Sequence, residues 1–310
     1  MIGDMNEYYS AEKIKTEAIE GLGFSACGIV RISEVDTVAA DAFRKWLGQG
    51  CNADMHYMEG YEDKRLNPRL LMPEAKTMIC LALSYAPEKT DGDDTIPYLS
   101  AYARGKDYHD VMKARMRELA ERLGLAVYRV FCDTAPILER YWAEKAGLGW
   151  IGRNHQLIVP KAGSMFFLGE IFTDVEVDAF DVPLRSHCGA DCRRCIDACP
   201  TGALQLDAPL DARRCLSFHT IENRGEIPDE IAEKMGNCFY GCDRCQNACP
   251  WNSHSMPTEV DEFRPSEALK AMTLDDWRNL SVEDYRRLFK GSAVKRAKYE
   301  GLMRNISKIK

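Results

Sequence analysis

The sequence predicts an α+β protein in three parts: a layered α/β unit over 1–180, a small cysteine-rich unit over 181–260, and a helical tail over 261–310. Helical and strand-like apolar patterns alternate through the first 180 residues, nine of the 13 cysteines fall between 188 and 249, and basic residues gather at the C-terminal end. The 310 residues are 45% hydrophobic and 29% charged, with 22 Gly and 13 Pro. That composition excludes disordered, collagenous and low-complexity classes and supplies ample apolar material for a core.

Each element has a local cause. Ser10 caps a helix running to Ile19, ended by Gly21 and Gly23, and 26–30 is a short apolar strand. Residues 36–48 form a helix, and MICLAL at 78–83 is a buried strand between Pro73 and Pro87. Val111, Met112, Met116, Leu119 and Leu123 make one helical stripe that stops at Gly124. VYRVF at 127–131 is a strand, PILERYWAEKAG a helix starting near Pro136, and QLIVP and MFFLGEIF two more strands. Beyond 181 the helical pieces become short, and from 261 they become increasingly basic.

A formal charge of −7 argues against a generally basic nucleic-acid binder. Residues 286–310 nevertheless carry nine Lys/Arg and one acid, so a +8 tail follows a body of −15. A solvated helix face explains this charge; a phosphate-contacting surface is the sharper alternative, with Arg286, Arg287, Lys295, Arg296, Lys298 and Arg304 as candidates. MIGDMNEYYSAEKIK offers neither a basic n-region nor an apolar h-region, and no apolar run reaches the roughly 18–20 residues of a membrane span. The expectation is a cytoplasmic protein without membrane association, whose bunched cysteines are metal ligands rather than disulfides.

Cys188-x3-Cys192-x2-Cys195-x3-Cys199-Pro200 recurs as Cys238-x3-Cys242-x2-Cys245-x3-Cys249-Pro250. The C-x2-C-x3-C-P core of each matches the run with which bacterial ferredoxins hold [4Fe–4S] clusters, the last cysteine serving the other cluster. Two copies predict a ferredoxin-like unit with two clusters under crossed ligation. Four-cysteine zinc sites compete, but zinc has no need of the repeated x3-Cys-Pro element. Two clusters require eight thiolates where this region has nine, the surplus lying among Cys188, Cys215 and Cys238. On spacing alone Cys238 is a first ligand of its motif and Cys215 a buried structural thiol.

DTAPILERYWAEKAGLGWIGRN (133–154), FFLGEI (166–171), DARRCLSFHTIE (211–222) and GCDRCQNACPWN (241–252), with RGKDYH at 104–109, closely resemble the epoxyqueuosine reductase family. The resemblance runs from the first helix to about Asn305, and longer members continue into a helical-repeat extension. It implies a layered cobalamin-binding catalytic domain ahead of the ferredoxin-like one. The cofactors it implies are cob(II)alamin, base-off, and two [4Fe–4S] clusters. The substrate it implies is epoxyqueuosine at the wobble position of a tRNA anticodon stem-loop, and the electron source it implies is an external reductase, flavodoxin or ferredoxin. It also makes Cys215 a ligand and demotes Cys238. One cluster then uses Cys188, Cys192, Cys195 and Cys249, the other Cys199, Cys215, Cys242 and Cys245. The departure is the extra residue between Cys188 and Cys192 (GAD), which widens that corner.

Asp133, between a strand and a helix, reads locally as a helix cap. The resemblance implies instead the proton donor for the epoxide oxygen, which must be protonated as it leaves. Such an acid needs a raised pKa, from desolvation under a bulky cofactor with Phe131, Trp142 and Trp150 as apolar neighbours. GLGWIG (147–152) fits G-x-G-x-x-G but follows a helix and enters a strand, the reverse of a dinucleotide site, so NAD is rejected. Gly147 is a helix stop, while Gly149, Trp150 and Gly152 are expected against a corrinoid.

No D-x-H-x-x-G run is present, so no histidine is expected below the cobalt. Arg140 with Glu139, Tyr102 and Arg104 with His109, and Ser217 and Asp243 are further candidate contacts to corrinoid or substrate. Each also has an ordinary reading as an ion pair, a loop residue or a ligand neighbour, and His187, His219 and His254 read as satisfied polar residues. A reductive dehalogenase and a ferredoxin-type carrier fused to a ligand-binding module are the rival functions.

Overall fold

The structure is a computed structural model describing residues 9–88, 97–255 and 257–309. Ser10 accepts from Lys13 N and starts α1 (Ala11–Thr16), which continues as a π-helical turn over Glu17–Gly21. Then come β1 (Ala26–Arg31), α2 (Thr37–Gly48, capped by Asp36), α3 (Glu62–Leu66), β2 (Thr77–Ser84), β3 (Tyr98–Leu99) and α4 (Tyr108–Leu123). β4 (Tyr128–Phe131), α5 (Glu139–Lys145), the hairpin β5 (Trp150–Ile151) and β6 (Leu157–Ile158), and β7 (Phe166–Thr173) complete the first half.

The main sheet has the order β1-β2-β7-β4 with every pair antiparallel. β2 is buried from Thr77 to Leu83 because both faces of the sheet are covered. Ile79, Leu81 and Leu83 pack with Ile14 of α1 and Met112 and Met116 of α4. Met78, Cys80 and Ala82 pack with Ala40 of α2 and Trp142 and Ala143 of α5. The unbroken apolar run MICLAL thus feeds two cores by its pleat. α4 stops where Gly124 adopts φ +71°, as its sequence stripe predicts.

The second half holds α6 (Arg194–Asp197), α7 (Leu216–Ile221), α8 (Asp229–Ala232), β8 (Cys238–Tyr240), α9 (Arg244–Asn247) and the tail helices α10 (Glu267–Lys270), α11 (Leu274–Arg278), α12 (Val282–Leu288) and α13 (Lys298–Ile306). α6 and α9, the helical turns inside the two cysteine motifs, pack on each other. β8 pairs in parallel with β3. Trp277, Tyr285, Phe289, Leu302 and Ile306 of the tail share one core with Leu99, Phe239 and Tyr240. Phe263 belongs to the core of the first layer. Apolar residues from all three stretches thus interlock across 181 and 261. No helix among the described residues is long and apolar enough to cross a membrane.

Candidate active site and metal centres

The two cysteine motifs close around two cavities. One, of about 760 Å³, is lined by Cys188, Cys192, Cys195 and Cys249 together with His187, Trp251 and Asn154. The other, of about 290 Å³, is lined by Cys199, Cys215, Cys242 and Cys245 together with Tyr102, Ser217, Asp243 and Asn154. The crossing comes from short helical turns: Cys195 and Cys199, four residues apart, line different cavities, as do Cys245 and Cys249. No three His, Cys, Asp or Glu side chains among the described residues gather closely enough for a single metal ion. Four thiols spread around a cavity suit a polynuclear cluster better than one ion. Cys238 lines neither cavity; it is buried in β8, its Sγ 3.9 Å from Asn237 Oδ1.

The widened corner of the first motif is held from outside. Cys192 N donates to Gly189 O at 3.0 Å, closing a turn over the extra residue. Arg153, at the tip of the β5–β6 hairpin, donates to the carbonyls of Gly189 (3.0 Å), Ala190 (2.7 Å) and Cys192.

Asp133 follows β4 with φ +54°, a left-handed conformation that Asp adopts more readily than most residues. Thr134 N donates to Cys132 O at 2.7 Å, making a tight turn that leaves the carboxylate 59% exposed. Tyr108 Oη donates to Asp133 Oδ2, and Asp133 N donates to Glu139 Oε1. His109 Nε2 lies 3.6 Å from Asp133 Oδ2, and its Nδ1 lies 2.7 Å from Asp107 Oδ1. Burial alone would lower the His109 pKa, but hydrogen bonds to Asp107 and Asp133 outweigh it and raise it to about 9. The imidazole is therefore cationic at neutral pH. Beneath this turn Glu170 of β7 is fully buried, with neither carboxylate oxygen hydrogen-bonded. Burial first, then the charges of Glu139 and Asp133, push its pKa well above the ordinary range.

A family model described as a 4Fe-4S double cluster binding domain matches residues 187–252. A second, described as Epoxyqueuosine reductase QueG, DUF1730, matches residues 65–134. An epoxyqueuosine reductase of Leadbetterella byssophila is 44% identical over 99% of this chain and 99% of its own length. Another, of Cellulophaga algicola, is 42% identical over 97% of this chain and 98% of its own. The chain belongs to the epoxyqueuosine reductase family. A crystal structure of an epoxyqueuosine reductase with a tRNA-Tyr epoxyqueuosine-modified stem loop matches with a TM-score of 0.86 at 29% identity, covering 96% of this chain and 80% of that one. A Bacillus subtilis epoxyqueuosine reductase, described with its catalytic aspartate loop swung out of the active site, matches with a TM-score of 0.84 at 29% identity over the same shares.

Within this epoxyqueuosine reductase fold several expected contacts are redistributed. Asp133 does not cap the following helix: α5 begins at Glu139 with Leu138 at its cap and no side-chain cap bond. The groups bonded to Asp133 are polar rather than apolar. Phe131 and Trp142 lie in the core beneath the sheet, and Trp150 stacks edge-on against His187 and Trp251 beside the first cavity. Gly147 is left-handed at φ +72°, the expected helix stop. Gly149 and Gly152 make their close approach to their own hairpin: a Cβ would lie 2.0 Å from Ile158 O at Gly149 and 2.5 Å from Ile158 Cδ1 at Gly152. That is a packing role within β5 and β6.

Arg140 donates to His155 O rather than forming an ion pair, and Arg104 donates to Leu99 O at 2.9 Å and lies over the Tyr98 ring. Asp243 is buried and takes hydrogen bonds from Tyr98 Oη (2.8 Å), Ser100 Oγ and Ala101 N (2.7 Å), tying the second cysteine loop to the first domain. His219 is satisfied by Arg213 O at 2.8 Å, whereas His187 and His254 line the first cavity. In the tail Arg304 donates to the carbonyls of His219, Asn223 and Gly225, so its guanidinium is committed to the fold. Arg296 pairs with Glu222 and covers the Tyr57 ring. Motif reading did not single out Tyr108, Glu170, Arg153 or Asn154. All four stand inside the quoted motifs, but only the fold shows what they touch.

Proposed function

We propose that the protein reduces epoxyqueuosine in tRNA to queuosine, with Asp133 as proton donor. Both C–O bonds of the epoxide break, a C=C bond forms, and the oxygen leaves as water with two protons and two electrons. Cys188, Cys192, Cys195 and Cys249 hold one [4Fe–4S] cluster, and Cys199, Cys215, Cys242 and Cys245 the other. Tyr102 and Ser217, beside the second cysteine set, would hold a base-off cobalamin, which would supply the reducing centre for the epoxide. The clusters and the corrinoid together supply the electrons, drawn from an external reductase, flavodoxin or ferredoxin.

The observation that carries this reading is the combination, in one chain of this family, of two four-cysteine cavities and a solvent-open Asp133 held by Tyr108 and Glu139. Residues lining the second cavity suit an amide-rich ligand: the hydroxyls of Tyr102 and Ser217 stand beside the cysteine set. Around Asp133 the chain's own task is proton handling. Tyr108 orients Oδ2, and the cationic His109, 3.6 Å away, is placed to return a proton to that oxygen.

Anaerobic reconstitution tests the proposal, with iron and cobalt counts and mass analysis of nucleosides from epoxyqueuosine-containing tRNA. Two clusters, one corrinoid and queuosine are expected. Asp133→Asn should keep the metals and lose most turnover. A fully loaded wild-type chain that leaves epoxyqueuosine unchanged would overturn the assignment.

A further inference from the structure

Asn154 occupies an unusual place: it lines both cysteine cavities and is only 3% exposed. Its side chain has one oxygen acceptor and one nitrogen carrying two N–H donors. Gln156 N donates to Asn154 Oδ1 at 3.2 Å, which fixes the amide's orientation, since the nitrogen could not accept that proton. The remaining atom, Nδ2, is buried with no hydrogen-bond partner. Leaving a buried amide nitrogen without a partner is unfavourable, so an orphan of this kind calls for an acceptor.

Position narrows the choice of acceptor. Arg153, the preceding residue, is anchored on the carbonyls of Gly189, Ala190 and Cys192, so the hairpin tip is fixed against the first cysteine loop. Ile158 and Gly152 pack against each other behind it. The amide thus stands on a rigid support between two sets of four thiols, with two N–H groups for two cavities. Sulfur carrying negative charge, as cluster sulfide or cysteine thiolate, is the acceptor both cavities would offer when loaded. Hydrogen bonds to cluster sulfur favour the reduced, more negative state and so raise its potential.

We propose that Asn154 is a shared positioning residue of the electron path, one Nδ2–H directed to the sulfur of each cluster, holding both couples at a higher potential than their thiolates alone would. This rests on the reading that the two cavities hold the two clusters. It adds a function for the β5–β6 hairpin: a side chain of the first domain tunes both centres of the ferredoxin-like one.

The test is a redox titration of the anaerobically reconstituted full chain, each cluster followed by its electron paramagnetic resonance signal. Asn154→Asp is nearly isosteric, keeps an oxygen for Gln156 N and removes both donors; Asn154→Leu removes them without adding charge. Both couples should move to more negative potential in both variants, further in Asn154→Asp. The expected shift is at least tenfold in the oxidised-to-reduced ratio at a fixed poise, which is 59 mV for a one-electron couple. Iron content should match wild type, a result a merely structural role for Asn154 would not couple to a shifted potential. Two titrating clusters with unchanged potentials in both iron-replete variants would overturn this inference and leave the cluster reading standing. A shift of only one couple would overturn the shared role. A wild-type chain without two such signals would overturn the cluster reading itself.

Discussion

Tyr108 donates its phenolic proton to Asp133 Oδ2, tying the first turn of α4 to the tight turn after β4. The ring is held for that purpose, stacked on Phe167 at 4.3 Å and on His109 at 4.1 Å. A hydrogen bond to a charged acceptor contributes about 1.5–3 kcal/mol. Tyr108→Phe keeps both stacks and removes only the hydroxyl. Turnover should fall about ten- to a hundredfold with iron and corrinoid content unchanged; single-turnover assays on the loaded enzyme measure this, and a wild-type rate would refute the positioning role.

His109 gives a stability signature. Its folded pKa is raised from the ordinary 6.5 to about 9, with Asp107 and Asp133 outweighing burial. A group whose folded pKa is raised stabilises the fold fully below its unfolded pKa and loses that contribution as pH rises through the folded value. Urea midpoints of the metal-free chain should therefore fall between about pH 6.5 and 9. His109→Gln should be less stable than wild type at pH 6 and should flatten this part of the profile. Parallel profiles for the two proteins would show that the imidazolium contributes nothing.

Glu170 works in the same direction for another reason. Among the described residues it has no hydrogen-bond donor; it pairs across the sheet with Cys80 on β2 and feels the charges of Glu139 on α5 and of Asp133. Its pKa is raised, chiefly by burial, so the neutral acid is compatible with the fold and the carboxylate is not. Stability should drain away as pH climbs above the ordinary carboxylate value of 4.5. Glu170→Met removes the unpaired oxygens and should gain roughly 1–3 kcal/mol at pH 8, with little gain at pH 5. An equal effect at both pH values would mean that Glu170 does not titrate with folding.

What the sequence reveals follows from what is local. The main strands and helices were legible because their causes are short-range: the Ser10 cap, the stripe from Val111 to Leu123, the helix stop at Gly124. The two cysteine sets were legible once the family motifs were read, since spacing alone chose Cys238 over Cys215. The polar frame of Asp133 was not, because Tyr108 is 25 residues away and reaches it only through the packing of α4 on the sheet. Nor did any pattern announce that Gly149 and Gly152 serve β6, or that Arg153 crosses to carbonyls 36 to 39 residues away. Long-range pairing of polar atoms has no period in sequence.

Cys215 and Cys238 give the sharpest separation of the two ligand readings. Cys215 lines the second cavity with Cys199, Cys242 and Cys245, whereas Cys238, buried in β8 and hydrogen-bonded to Cys242, does not line it. Cys215→Ser should lose about half the reconstituted iron by removing one thiolate of four, while Cys238→Ser should retain all of it. Iron and sulfide counts after identical anaerobic reconstitution decide this, and the opposite pattern would reverse the assignment.

The basic tail divides into arginines that hold the fold and cations left for a partner. Arg304 donates to three backbone carbonyls, so Arg304→Ala removes three hydrogen bonds and should lower the melting temperature whether or not RNA is present. Arg286, Lys295 and Lys298 are exposed. Their joint replacement by Ala should leave the melting temperature within a degree or so, because surface charges contribute little to stability. If they contact tRNA phosphates, each lost contact should also reduce the slope of log affinity against log salt by about 0.7–0.9. Fluorescence anisotropy of a labelled anticodon stem-loop between 50 and 200 mM salt, the range over which phosphate contacts tell most strongly, provides the measurement. A triple variant with wild-type affinity and an unchanged slope would assign the +8 charge of 286–310 to solvation alone and move the RNA-binding surface elsewhere.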